Sequence, residues 1–194
     1  MGFIDSNRLL ASATGLLVTF AVYGQTVVSH TYRFEGNPDG ITIQNENGNL
    51  IVNYSLNELQ TGTIGTPEGT FFRVFTPGHG RTTEPGKPEM PVFSRLIALP
   101  DDSEPEIIIS DVRTRKIKPL RENIRGLLYP RQPDASKTQD KLKTGFLIDK
   151  SLYSKRGIIE SDTVWVEKLG KVRGLQLAGI YISPARYNPY SNEL

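Results

Sequence analysis

The side chains that could do nucleophilic or metal chemistry are few in this chain, and they do not converge. It has no cysteine, so it carries no disulfide, no thiolate zinc site and no cysteine nucleophile of its own. Its two histidines, His30 and His79, sit in neither a metal-ligand nor a triad-like spacing. Nothing else assembles an acid, a base and an oxyanion donor, so no catalytic role, cofactor or metal is expected. What stands out is positive charge. From Asp111 to Arg156 there are 13 basic and 5 acidic residues, a net of +8, in a chain whose whole net charge is +2. A balanced total gives no drive toward nucleic acid or an anionic membrane, so the basic stretch asks for a local explanation.

The stretch has a loop-like core. Pro119 to Leu142 (PLRENIRGLLYPRQPDASKTQDKL) holds Pro119, Gly126, Pro130 and Pro133, with polar residues on both sides of the apolar knot Leu127-Leu128-Tyr129. Loops longer than about 12 to 15 residues in a compact domain are functional or disordered, so this segment is the candidate for function. A second unusual segment precedes it. Glu84 to Pro91 (EPGKPEMP) sets Pro85, Pro88 and Pro91 three residues apart. That spacing suits a stiff, extended polyproline II leader feeding a strand over Val92 to Leu99.

The elements that must hold these segments read as β. Breakers recur every 8 to 12 residues, at Gly36–Gly40, Asn45–Asn49, Gly62–Gly69 and Pro77–Gly80. Between them lie short Ile, Val, Phe, Tyr and Thr runs: Gly40 to Ile43, Asn49 to Tyr54 and Thr70 to Phe75. This rhythm predicts an all-β, antiparallel β-sandwich with a long basic loop. Further strands are expected over Glu106 to Ile117, Gly145 to Ile148, Thr163 to Leu169 and Leu175 to Ile182, with Trp165 in the core. No 12-residue window of the mature part has helical periodicity.

Ahead of this domain, Leu9 to Val22 is an uncharged stretch of 14 residues, shorter than the roughly 20 a membrane span needs. It follows Arg8 and ends at small residues. Val22 and Gly24 fit the −3 and −1 positions of a signal-peptidase site, with Gln25 the first mature residue. The division is therefore a signal peptide over 1–24 and one domain over 25–194, exported to the medium or cell surface. A buried N-terminal helix is the competing reading of the same stretch.

Two motifs together carry a family resemblance. EPGKPEMP followed by a strand ending Ala98-Leu99-Pro100-Asp101, and the ending from Val172-Arg173-Gly174 through Pro184 to Tyr187-Asn188-Pro189, resemble the propeptide of gingipain-type cysteine peptidases, peptidase family C25. Leu152-Tyr153-Ser154 lies between them in matching order, and the resemblance covers about Gly69 to Leu194. It implies a non-catalytic prodomain of β-sandwich fold that keeps a caspase-like catalytic domain latent and helps it fold. The partner is that catalytic domain, in the same precursor or in trans, with no nucleic acid and no membrane span. It further implies a loop entering the substrate cleft with a basic residue aimed at the specificity pocket. Arg131, in Tyr129-Pro130-Arg131-Gln132-Pro133-Asp134, is the best-matching position, and Arg125 is its rival. A guanidinium can pair bidentately with a pocket carboxylate, and flanking prolines reduce the entropy lost on ordering. Either arginine can equally be a solvated loop charge.

The remaining motif residues have structural readings beside the functional ones. Pro85, Gly86, Pro88 and Pro91 can form an edge connector or a docking surface for the peptidase. Tyr187, with Asn188 and Pro189, can pack as a closing residue on one end of the sandwich. Two other functions compete: an exported β-sandwich for adhesion or surface binding with no peptidase partner, and an acidic-glycan or nucleic-acid binder using the basic stretch. The latter has few interleaved aromatics, only Tyr129, Phe146 and Tyr153.

Overall fold

The computed structural model describes residues 26–37, 40–100, 103–134 and 145–194, and they are predominantly β. The strands are β1 Thr26–Arg33, β2 Ile41–Glu46, β3 Asn49–Tyr54, β4 Glu58–Thr66, β5 Gly69–Phe75, β6 Gly80–Arg81, β7 Pro91–Leu99, β8 Leu127–Leu128, β9 Val164–Val172 and β10 Leu175–Ile182. Helix among the described residues is confined to one 3-10 turn, Pro119–Glu122, and one α turn, α1 Lys150–Tyr153. Three sheets result, ordered β1-β4-β5-β8, β6-β7-β10-β9 and β2-β3. Two-residue turns at Asn47-Gly48 and Arg173-Gly174 close the β2–β3 and β9–β10 hairpins, as sequences of this kind favour. All the pairings are antiparallel but one: β8 lies parallel to β5, with Phe71 opposite Leu127 and Phe72 opposite Leu128.

Alternation along β4 and β5 divides the apolar residues between two faces. Leu59, Phe72 and Val74 point to the main core, where they meet Leu128, Tyr153 and Tyr187. Ile64 and Phe71 point to the other face and pack with Tyr129, Phe146 and Ile148. Burial on both faces explains why Phe71-Phe72 is a continuous apolar pair and not an apolar–polar alternation.

Several expectations are corrected. Glu106–Ile117 forms no strand: residues 106–116 are exposed, Ile108 at 83%, because no described strand offers them an edge. Only Ile117 is buried, held by reciprocal backbone hydrogen bonds with Leu194 of 2.8 and 3.0 Å. Gly145–Ile148 joins no sheet ladder either. The Pro85–Pro91 leader is not a straight rod. Its ends are closed by Thr82, whose N–H donates to the Met90 carbonyl at 2.9 Å, and a turn sits at Pro85-Gly86. Pro followed by a Gly of φ 82° is the sequence and geometry of a type II turn, a local preference that overrode the three-residue proline spacing. Trp165 is half-buried and outside the core, stacked on Tyr181 at 5.1 Å and 11°. The signal-peptide segment and the Gly24/Gln25 junction lie outside the described residues.

Candidate functional site

The basic loop begins at β8, which is fixed to the molecule by unusual means. A two-residue strand has little ladder of its own, so its backbone groups must find partners elsewhere. The Leu128 N–H donates to the Tyr187 hydroxyl at 3.2 Å, and the Tyr153 hydroxyl donates to the Leu128 carbonyl at 2.7 Å. The Tyr187 hydroxyl in turn donates to Asn192 Oδ1 at 2.7 Å, and Asn192 Nδ2 donates to the Gly126 carbonyl at 3.0 Å. Burial pushes the Tyr187 hydroxyl up to about 12 and raises Tyr153 as well. Gly126, at φ 92°, runs so close to β5 that a Cβ there would strike the Thr70 carbonyl oxygen. The chain thus enters the loop on a path with no slack.

Beyond β8 the chain runs against EPGKPEMP. Glu89 N–H donates to Tyr129 O at 2.9 Å, Arg131 N–H to Lys87 O at 2.7 Å, and Gly86 N–H to Arg131 O at 2.7 Å, with Pro88 opposite Pro130. Beneath this ladder lies Glu89, whose side chain is 1% exposed. Three guanidinium groups converge on its carboxylate. Arg73 Nε stands 3.1 Å from Oε1, Arg81 Nη1 3.5 Å from Oε1, and Arg131 Nη1 3.4 Å from Oε2. Arg73 also lies over the Tyr129 ring, its guanidinium carbon 4.3 Å from the centroid. Burial raises the Tyr129 hydroxyl, with the Arg73 charge pulling the other way. A carboxylate this deep is tolerable only because it is paired from several sides.

The returning chain is tied to the same segment. Asp149 N–H donates to Gly86 O at 2.9 Å, so Gly86 bonds with both ends of the connection that leaves at Arg131 and returns at Asp149. Gln132 makes a second tie: its Nε2 donates to Leu147 O at 2.8 Å and its Oε1 accepts from Leu147 N–H at 2.9 Å. Phe146 packs on Phe71 and Tyr129, with centroids 5.2 and 5.9 Å apart. Asp149 then caps α1, accepting from Ser151 Oγ at 2.6 Å and from Ser151 and Leu152 N–H. Those bonds, Ser151 Oγ first, hold its carboxyl below the usual carboxylate range.

The structure brings some of the sequence candidates together and leaves others apart. Arg131 pairs with Glu89, Gly86 and Pro88 lie on the ladder to residues 130 and 131, Pro91 is buried at the start of β7, and Pro85 forms the exposed outer corner of the turn. The Arg131 side chain is only 18% exposed, paired with Glu89 and with Asp134. Arg125 stands apart, exposed and without an ion pair among the described residues. Tyr187 is buried in the core, Asn188 shapes the terminal turn by accepting from Tyr190 and Ser191 N–H, and Pro189 is buried behind it. Glu89 and Gln132 were missed. Glu89 had a signal, a lone acid inside a run of prolines before an apolar strand; Gln132 had none. Among the described residues no three His, Cys, Asp or Glu side chains gather to hold a metal, and no helix is long and apolar enough to cross a membrane.

The geometry can be set beside known proteins. The Propeptide_C25 family matches residues 30–194. Lys-gingipain of Porphyromonas gingivalis strain ATCC 33277 is 33% identical over 141 residues, 73% of this chain, and Lys-gingipain W83 of that species matches to the same extent. The chain spans about 8% of the length of these relatives. A solved structure described as giving insight into the zymogenic latency of gingipain K from Porphyromonas gingivalis superposes with a TM-score of 0.76 at 27% identity, over 87% of this chain and 91% of that one. A complex of the pro- and mature domains of Porphyromonas gingivalis RgpB superposes at 0.60 and 13% identity, over 81% and 79%, a likeness of fold alone. With the family matched across nearly all of the described residues, the chain belongs to the C25 propeptide family.

Proposed function

We propose that the chain is a prodomain that keeps a gingipain-type cysteine peptidase latent and assists its folding, in the same precursor or in trans. The observation that carries this reading is the match of residues 30–194 to C25 propeptides, together with the likeness to the gingipain K structure. The two four-stranded sheets close as a sandwich in this reading, which is supported by Met90, the residue immediately before β7, sharing a cluster with Phe72 and Val74 of the first sheet. Export precedes its action. N-terminal sequencing of secreted material should start at or near Gln25, and an intact Met1 on a cytoplasmic protein would refute it.

Within this reading a basic side chain of the loop region enters the partner's specificity pocket, and the two arginines differ in what that demands. Arg131 is flanked by proline and rooted in the ladder, but must exchange Glu89 and Asp134 for the pocket carboxylate. Arg125 is exposed and has no ion pair to give up among the described residues. Titrating purified residues 25–194 into mature gingipain K and mature RgpB of Porphyromonas gingivalis tests the reading as a whole; inhibition of neither at micromolar concentration would overturn it. Truncating one side of a desolvated pair costs about 2 to 5 kcal/mol, so the alanine variant of the pocket residue should inhibit about thirty-fold less well or worse. The other should change less than about threefold.

A further inference from the structure

We infer that the outer face of the β7-β10-β9 sheet docks a second copy of the chain, the two faces packing sheet on sheet about a twofold axis. The strand register sets out what this face carries. Tyr181 lies beside Trp165, Gly179 between Leu96 and Glu167, and Leu175 beside Val172. The alternate residues of β10, Ala178, Ile180 and Ile182, are buried and mark the inner face. The outer face is left open: Leu96 and Leu175 are 57% exposed and Val172 55%. Exposed leucines scattered singly need no explanation, whereas a contiguous apolar set across three strands marks an interaction surface.

Three features select the occupant. The first is charge. Arg95 and Lys168 stand opposite Ile180 and Ala178 in the inner rows, so Glu167 is the one charged side chain of the outer rows. Nothing there repels a second copy, and no cation is offered to an anionic surface. The second is area. Three strands about 4.8 Å apart, and the 8 residues of β10 at about 3.3 Å each, span roughly 14 by 26 Å, or about 360 Å² in projection. Two such faces bury on the order of 1,000 Å² once side-chain relief is counted, the low end for a specific interface, which suits a reversible dimer. The third is shape. Trp165 and Tyr181 each spend a ring face on the other, at 5.1 Å and 11°, and Tyr181 leans over Gly179, where a Cβ would meet its hydroxyl at 2.7 Å. A filled, even face packs well against another sheet about 10 Å away. With so few polar groups it is poorly equipped to hold the hydroxyls of a saccharide. In the sandwich reading it also points away from the side of β5 where Phe71 packs with Tyr129, so the loop base and a second copy do not compete for space.

The test uses purified residues 25–194 with no peptidase present, so it does not depend on the prodomain reading. Sedimentation equilibrium from about 2 to 200 µM should show the mass rising from monomer toward dimer, with a midpoint on the order of tens of micromolar. Trp165, the one tryptophan of the chain, reports from within the face, and its emission should move to shorter wavelength over the same range as water is excluded. Leu96→Lys and Leu175→Lys lie on different strands and replace exposed residues, so each should keep the thermal midpoint within a few degrees. Each should weaken association about tenfold or more by burying an unpaired charge. Leu50→Lys, at an exposed apolar residue of β3 outside this face, should change neither the mass nor the emission. A chain that stays monomeric to about 200 µM with unchanged emission refutes the inference. A dimer that survives both lysine variants does so too, since the contact then lies elsewhere. If the lysine variants leave the mass unchanged and instead weaken inhibition of mature gingipain K, the face belongs to the peptidase; if cellohexaose shifts the emission of the monomeric chain, it belongs to a saccharide. Either result overturns the second copy as its occupant.

Discussion

Glu89→Ala removes the single carboxylate on which Arg73, Arg81 and Arg131 converge, and its cost can be worked from exposure. Arg73 and Arg131 are 19% and 18% exposed, so water cannot take over from Glu89, and their like charges are left close together. Breaking a buried pair from one side costs about 3 to 5 kcal/mol; because both guanidiniums keep some contact with water, the lower end applies, about 3 kcal/mol. Arg81, at 45% exposed, is a rim contact, and Arg81→Ala should stay within about 1 kcal/mol. For a domain of this size each kcal/mol moves the thermal midpoint by about 2–4 °C, so Glu89→Ala should melt roughly 6–12 °C below the parent. Urea titration with an unchanged slope would show that stability, and not the compactness of either state, has altered. The triple change of Glu89, Arg73 and Arg131 to apolar residues of similar size should recover much of the loss, since the charges then left without these partners, Arg81 and Asp134, are exposed. A Glu89→Ala variant within 1 kcal/mol of the parent would show that the cluster does not hold the loop base, and the anchoring argument would fail with it.

Three further outcomes are expected. Hydrogen bonding from Lys118 first, and from Lys116, holds the Glu193 carboxyl down to about 2 from an ordinary 4.5. Its contribution is therefore present above pH 4.5 and lost as pH falls toward 2, so the melting curves of the parent and Glu193→Gln should differ at pH 6 and converge near pH 2; a constant gap would refute the linkage. Tyr153→Phe strips the buried Leu128 carbonyl of its donor and should cost about 1–3 kcal/mol by urea titration, while an exposed control, Tyr190→Phe, should cost nothing measurable. Pro130→Ala should cost about 0.4–1 kcal/mol through the freer unfolded chain, with the Tyr129 and Arg131 amides still slow to exchange; a much larger loss would mean the ladder depends on the ring itself.

How far the sequence told this in advance depends on the range of the interaction. Strands β2, β3, β5, β7, β9 and β10 were visible because each is a β-branched or aromatic run closed by its own turn residues, as at Asn47-Gly48 and Arg173-Gly174. Tyr187, which stands in a turn-rich tail after an apolar strand, is buried in the main core. Glu106–Ile117 misled because composition reports a preference for extended backbone and not the presence of a neighbour. Ile107, Ile108 and Ile109 are extended-chain residues without a strand to pair with among the described residues. Trp165 misled in a related way: a large aromatic can cover a sheet face by stacking on Tyr181 without entering the core. Gln132 was out of reach, since its meaning lies wholly in Leu147, fifteen positions away and joined through no pattern of either segment.

The proline spacing that drew attention in EPGKPEMP has an explanation different from a rod. Proline cannot donate to a ladder, and in this segment it stands only where no donor is needed. Pro88 faces Pro130 across the ladder, while the bonds on either side are made by Glu89 with Tyr129, by Arg131 with Lys87 and by Gly86 with Arg131. Pro91 is the first residue of β7, a position a strand gives to proline freely. Pro85 sets the turn that brings Gly86 between the two feet of the loop. The prolines thus remove conformations from the unfolded chain at positions that lose no hydrogen bond, which leaves Gly86, Lys87 and Glu89 to make the bonds to the loop. Rigidity in the segment and attachment of the loop are the same arrangement, and the buried carboxylate at its centre is what makes the basic surface above it tolerable.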